Sequence, residues 1–165
     1  MTLGLSLSTF TTVHVVLSLI GIATGFIVLI GLFRSDRIDG WAAIFLATTV
    51  LTSATGFLFP FVKFGPAHVV GVISLVALAV ALLALYAFGL AGAWRWLYVV
   101  GAVLALYLNV FVGVTQAFQK LAFLNRFAPT QSEPPFLVAQ FLVLALFVAA
   151  GIAALRAFHP ERSAS

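Results

Sequence analysis

Five stretches of this chain, residues 9–33, 41–61, 66–91, 94–118 and 134–158, are almost unbroken runs of apolar side chains, and the charged residues fall between them. Each run reaches the length of about 20 residues that a helix needs to cross the hydrocarbon core of a bilayer. A helix satisfies its backbone polar groups from within itself, which lipid cannot do, so the pattern predicts an all-α bundle of five transmembrane helices. The breaks between runs have helix-end chemistry. The loop Arg34 to Asp39 closes the first run, with Asp39 placed to cap the second. Pro66 suits the first turn of the third, Gly92 its stop, and Ser132-Glu133-Pro134 the start of the fifth, where the helix dipole favours a carboxylate.

Composition narrows the class. Of 165 residues 64% are hydrophobic and 7% charged, against about a quarter charged in soluble domains. The mean hydropathy is +1.23. These values make residues 1–165 a single transmembrane domain with no soluble domain, its partner the lipid bilayer. The net charge of +4 does not point to nucleic acid, because the eight Lys and Arg are scattered singly and form no patch. No Cys is present, which excludes disulfides and thiol chemistry. The amino-terminal stretch lacks the basic start of a secretory signal, and its apolar run is too long for one, so the first helix is expected to stay.

Loop charges set the orientation, because cytoplasmic loops retain Lys and Arg. Arg34, Arg37, Arg95, Arg156 and Arg162 fall on one side, Lys63, Lys120 and Arg126 on the other. The bias predicts the N-terminus outside and the C-terminus in the cytoplasm. Trp41, Trp94 and Trp96 then anchor the inner interface, and Phe57, Phe59, Phe61 and Phe64 crowd the outer one. Gly21-x-x-x-Gly25 and the series Ala77, Ala81, Ala84 offer close helix contacts, within the bundle or with a second copy.

Polar residues inside the spans are few, and they carry the functional signal, since each is costly in lipid without a partner. With the helix directions assigned, His14, Thr52, Thr55, His68, Asn109, Gln116 and Gln140 all fall in the outer half, and Glu133 stands at its rim. Asn109, Gly113, Gln116 and Lys120 recur at helical spacing on one face. The inner half is Gly, Ala, Val, Leu and Phe, an apolar plug. The asymmetry predicts an outer-leaflet pocket, lined by these eight residues, for a small molecule, a lipid headgroup or a quinone. Structural hydrogen bonding between helices is the competing explanation for each residue singly.

The segments Thr55-Gly56-Phe57-Leu58-Phe59-Pro60-Phe61, Gly65-Pro66-Ala67-His68 and Ala128-Pro129-Thr130-Gln131-Ser132-Glu133-Pro134-Pro135-Phe136 resemble those of small bacterial inner-membrane proteins without an assigned activity. The resemblance extends over most of the chain. It implies a multi-pass protein of the inner membrane and no reaction.

Two other functions compete with ligand binding. One is an accessory subunit that packs beside a larger membrane complex. The other is a redox protein holding haem b or a metal between His14 and His68, neutral imidazoles at similar depth. No Ser, His and acid set has catalytic spacing, and no phosphate loop or selectivity filter occurs, so the pattern leans away from an enzyme.

Overall fold

In a computed structural model, residues 4, 6–60 and 64–160 are described. Phe61, Lys63 and Arg162, to which the sequence assigns interface or loop roles, lie outside them. The described residues form helices throughout: α1 Leu7–Phe33, α2 Asp39–Gly56, α3 Pro66–Leu82 continued by a π-helical turn Leu83–Ala87, α4 Trp94–Lys120, a short α5 Ala122–Asn125 and α6 Pro134–Ala157. Four of these, Leu7–Phe33, Pro66–Ala87, Trp94–Lys120 and Pro134–Ala157, are long and apolar enough to cross a membrane. The protein is all-α and membrane-embedded. The remaining long helix, α2, has 18 residues and carries Asp39, Ser53 and four threonines.

Several helix ends differ from the expected ones. α1 begins two residues early, because the Ser6 hydroxyl accepts from the Thr9 N–H at 3.1 Å. It ends in a left-handed turn at Ser35 (φ 61°), with the Asp36 N–H on the Gly31 carbonyl and the Ser35 N–H on Leu32. Asp39 is not the cap of α2. It sits in the first turn, where its carboxylate takes the Arg37 Nε–H at 2.7 Å. α2 stops at Gly56 rather than continuing toward residue 61, since Phe59 precedes Pro60 and such residues are pushed out of helical geometry. α3 leaves regular helix at Leu82 and passes through the π turn, short of the expected stop at Gly92. Gly89 and Leu90 take positive φ first (52° and 62°). Glu133, not Ser132, occupies the cap position of α6.

The helices alternate in direction. Along α1 and α2, His14 meets Thr55, Gly21 lies against Thr49, Gly25 against Phe45 and Gly31 against Ile38. Residue numbers rise on one helix as they fall on the other, so α2 runs back along most of α1. α4 and α6 pair likewise through Phe118–Phe136, Tyr107–Phe147 and Tyr98–Phe158. One end of the bundle therefore holds His14 and the other Arg95.

Close approach is made by small residues. A Cβ on Gly25 would stand 2.5 Å from Leu106 and 2.9 Å from Phe45, and one on Gly101 2.7 Å from the Ala77 carbonyl oxygen. Gly21 and Gly25 thus serve contacts within the bundle, to α2 and α4. Ala81 and Ala84 are completely buried in the same seam as Gly101.

The main core lies wholly at the Arg95 end. It takes Val28, Leu29 and Leu32 from α1, Ala42, Phe45 and Leu46 from α2, and Leu78, Ala81 and Leu85 from α3 and its π turn. α4 adds Tyr98 through Leu106, and the far end of α6 adds Ala154, with Phe158 just beyond it. At the His14 end, among the described residues, Phe118, Ala128 and Phe136 form a second, small cluster. Packing energy is concentrated in one half of the bundle.

Candidate functional site

Outside the large core, toward the His14 end, a set of side-chain hydrogen bonds joins the helices. His14 Nδ1 stands 2.9 Å from Thr55 Oγ1, tying α1 to α2. Ser53 and Ser74 hydroxyls meet at 2.9 Å, tying α2 to α3. Asn109 Nδ2 reaches Thr49 Oγ1 at 3.4 Å, tying α4 to α2. Gln140 Nε2 donates to the Phe111 carbonyl and to Thr115 Oγ1, both at 3.1 Å, tying α6 to α4. Each helix thus has a polar clip toward this end, where hydrocarbon packing is thin.

The threonines also hide their own polarity. Thr48, Thr52 and Thr55 turn their hydroxyls back onto Ile44, Thr48 and Leu51 carbonyls at 2.7, 2.8 and 2.6 Å. This is the usual recourse of a hydroxyl inside a helix and lets α2 sit among apolar neighbours. It also fixes a proton. The Thr55 hydroxyl hydrogen is spent on a carbonyl, so the 2.9 Å contact to His14 needs its hydrogen from Nδ1. In the neutral ring Nε2 is then an acceptor. Phe59 packs edge-on against this imidazole, and Lys120, at the end of α4, lies within electrostatic reach of it.

His68 is held differently. Its Nδ1 accepts the Gly65 N–H at 3.1 Å, closing the first turn of α3, and its ring packs on Phe57 and Phe64. With Nδ1 as acceptor, the neutral ring carries its hydrogen on Nε2, which is the wrong tautomer for a metal ligand there. Among the described residues no three His, Cys, Asp or Glu side chains group closely enough to hold a metal ion.

Gln140 is 8% exposed and has spent its amide hydrogens on α4. Its Oε1 is buried and has no partner among the described residues. Such an atom forfeits hydration and gains nothing, a cost of about 1–3 kcal/mol. The opposite amide assignment would set Oε1 against the Phe111 carbonyl, so the orphan is an acceptor.

The remaining predicted residues scatter. Asn109 is buried between α1 and α2, near Gly21. Thr52 is buried and, among the described residues, its hydroxyl bonds to its own helix alone. Gln116 is exposed, and Gln140 is met by Thr115 instead. Glu133 turns away from α6: its carboxylate accepts the N–H groups of Thr130 and Ser132 at 3.1 Å and the Thr130 hydroxyl at 2.8 Å. Slight desolvation works to raise its pKa, but the Thr130 hydroxyl and the surrounding N–H groups outweigh it and hold the carboxyl below the ordinary carboxylate range.

Thr49, Ser74 and Thr115 are partners that sequence reasoning passed over. Thr49 is completely buried, and its only signal was membership of the threonine run. Two surface recesses lie elsewhere, one at the Arg95 end and one an apolar groove between α3 and α4. No protein-family model, curated protein or solved structure matches this chain.

Proposed function

We propose that this is a five-span protein of the bacterial inner membrane, N-terminus outside and C-terminus in the cytoplasm, that holds a small ligand in its outer half. The fifth crossing is α2. Its support is the antiparallel pairing with α1 from Ile38 to Thr55, together with a helix length of about 27 Å at 1.5 Å per residue, close to the hydrocarbon thickness.

The buried, unpartnered Gln140 Oε1 carries the ligand reading. Gln140 Oε1 is an acceptor, so the ligand it suits brings a donor. A quinol hydroxyl or the ammonium or hydroxyl of a lipid headgroup fits; a quinone carbonyl does not. Native mass spectrometry of protein released from its own membranes tests this. The wild type should retain a donor-bearing small molecule that Gln140→Leu loses while remaining folded. Equal retention by both, or none by either, contradicts the proposal.

An accessory-subunit reading draws on α6, where Val138, Phe141, Leu142 and Leu146 are each about three-fifths exposed or more. Crosslinking from Phe141 in native membranes would capture a larger partner under that reading and lipid alone under the first. Haem b between His14 and His68 has the least support, given the His68 tautomer.

A further inference from the structure

At the Arg95 end, a recess of about 330 Å³ opens among three segments of the chain: the α1–α2 loop, the turn between α3 and α4, and the tail after α6. Each segment brings something cationic or strongly curved. Arg37 comes from the first, Arg95 from the first turn of α4, and His159 from the tail. The connecting turn contributes Gly89, Leu90 and Gly92, all with positive φ. Left-handed backbone at three of four successive residues is what lets this turn, set up by the π-helical end of α3, fold back to wall the recess.

The basic side chains are tethered, not free. Arg37 uses Nε on Asp39, which leaves the outer edge of its guanidinium unpaired by that contact. Arg95 gives Nη1 to the Phe158 carbonyl and stacks its charge 6.0 Å from the Trp96 ring centre. The tail is fixed by the His159 N–H on the Ser35 hydroxyl at 2.7 Å, and the His159 ring Nδ1 lies 3.4 Å from the Ala157 carbonyl oxygen. Arg37 and Arg95 thus each have an anchoring contact and further N–H donors left over, the His159 ring adds a donor at Nε2 in its protonated form, and among the described residues no acidic side chain lines the recess. α4 also begins here, at Ala93, without a side-chain cap, so its dipole adds positive potential.

We propose that this recess is a binding site for a phosphate-bearing anion, held by Arg37, Arg95 and His159. Guanidinium groups match phosphate oxygens in geometry as well as charge. Trp94 and Trp96 beside Arg95 set the recess at the level of the membrane interface, where phosphodiester headgroups lie. The site is separate from the Gln140 region and does not depend on which way the bundle faces.

The protein supplies its own readout, because Trp41, Trp94 and Trp96, its only tryptophans, are all at this end. Full-length protein in neutral detergent micelles is titrated with short-chain phosphatidylglycerol, short-chain phosphatidylcholine and inorganic phosphate, following tryptophan fluorescence. Saturable binding of phosphatidylglycerol alone assigns the site to an anionic lipid headgroup, and binding of inorganic phosphate that competes with it assigns the site to phosphate-bearing solutes as well. Arg37→Gln and His159→Gln should each weaken binding by roughly tenfold, and Asp39→Asn, which removes the competing carboxylate, should strengthen it. Arg95→Gln is read only alongside a thermal melt, since Arg95 also holds the tail. No saturable response to either anion, equal response to phosphatidylcholine, or unchanged affinity in both Arg37→Gln and His159→Gln overturns the proposal.

Discussion

His14 and Thr55, 41 residues apart in sequence, are joined by a 2.9 Å hydrogen bond whose hydrogen belongs to the imidazole. The reason is the second bond that Thr55 makes, 2.6 Å to the Leu51 carbonyl, which consumes its only hydroxyl hydrogen. Nitrogen-15 spectra of the protein in micelles should show neutral His14 protonated at Nδ1. Thr55→Val should lose that signature and cost about 0.6 kcal/mol, the usual worth of such a bond in a membrane. Protonation at Nε2 would mean that the Thr55 hydroxyl points at the ring instead.

Two glycines should respond to alanine with opposite signs. At Gly101 the new methyl would stand 2.7 Å from the Ala77 carbonyl oxygen, a backbone atom that cannot swing aside. Gly101→Ala should therefore destabilise the bundle by about 1–3 kcal/mol, the range for overpacking. Nothing lies within 4 Å of a Cβ on Gly40, in the first turn of α2. Gly40→Ala should be neutral or stabilising by up to about 1 kcal/mol through helix propensity. Unfolding by a graded denaturing detergent measures both.

The Glu133 loop should open in acid. Its carboxyl is held below its ordinary pKa by the Thr130 hydroxyl and the neighbouring N–H groups. The contribution to loop order is thus fully present above the unfolded carboxylate pKa and disappears as pH falls through the lower folded value. Amide shifts of Thr130 and Ser132 should move together in that acid window, and Glu133→Gln should abolish the movement.

The absence of native cysteine makes orientation testable with single introduced thiols. Gln119→Cys, at the His14 end, should react with an impermeant maleimide in intact cells. Gly92→Cys, at the Arg95 end, should react only after lysis. The reverse pattern would invert the bundle, and equal labelling of both would contradict a crossing by α4.

Much of the architecture was legible because lipid imposes one rule on every span. Apolar run length placed α1, α4 and α6 within a few residues, and helix alternation placed the polar residues at one end. The unread parts depend on local or tertiary geometry. Pro60 and the π turn end α2 and α3 early through backbone sterics that hydropathy does not register. The pairing of Gln140 with Thr115, one residue from Gln116, depends on helix rotation, and a single position changes the face by about 100°. Asn109 was found from sequence, but its partner Thr49 was hidden among four similar threonines. The basic recess was missed because Arg37, Arg95 and His159 are far apart in sequence, the two arginines were accounted for as topology signals, and His159 was given no role.

The most direct test of the ligand-binding account is an experimental structure in lipid nanodiscs made from native membranes, read at Gln140 Oε1. The account predicts a hydroxyl or ammonium of a bound small molecule within hydrogen-bonding distance, about 2.7–3.2 Å. A protein group or a lone water bonded there, with the surrounding outer half closed around it, would contradict it.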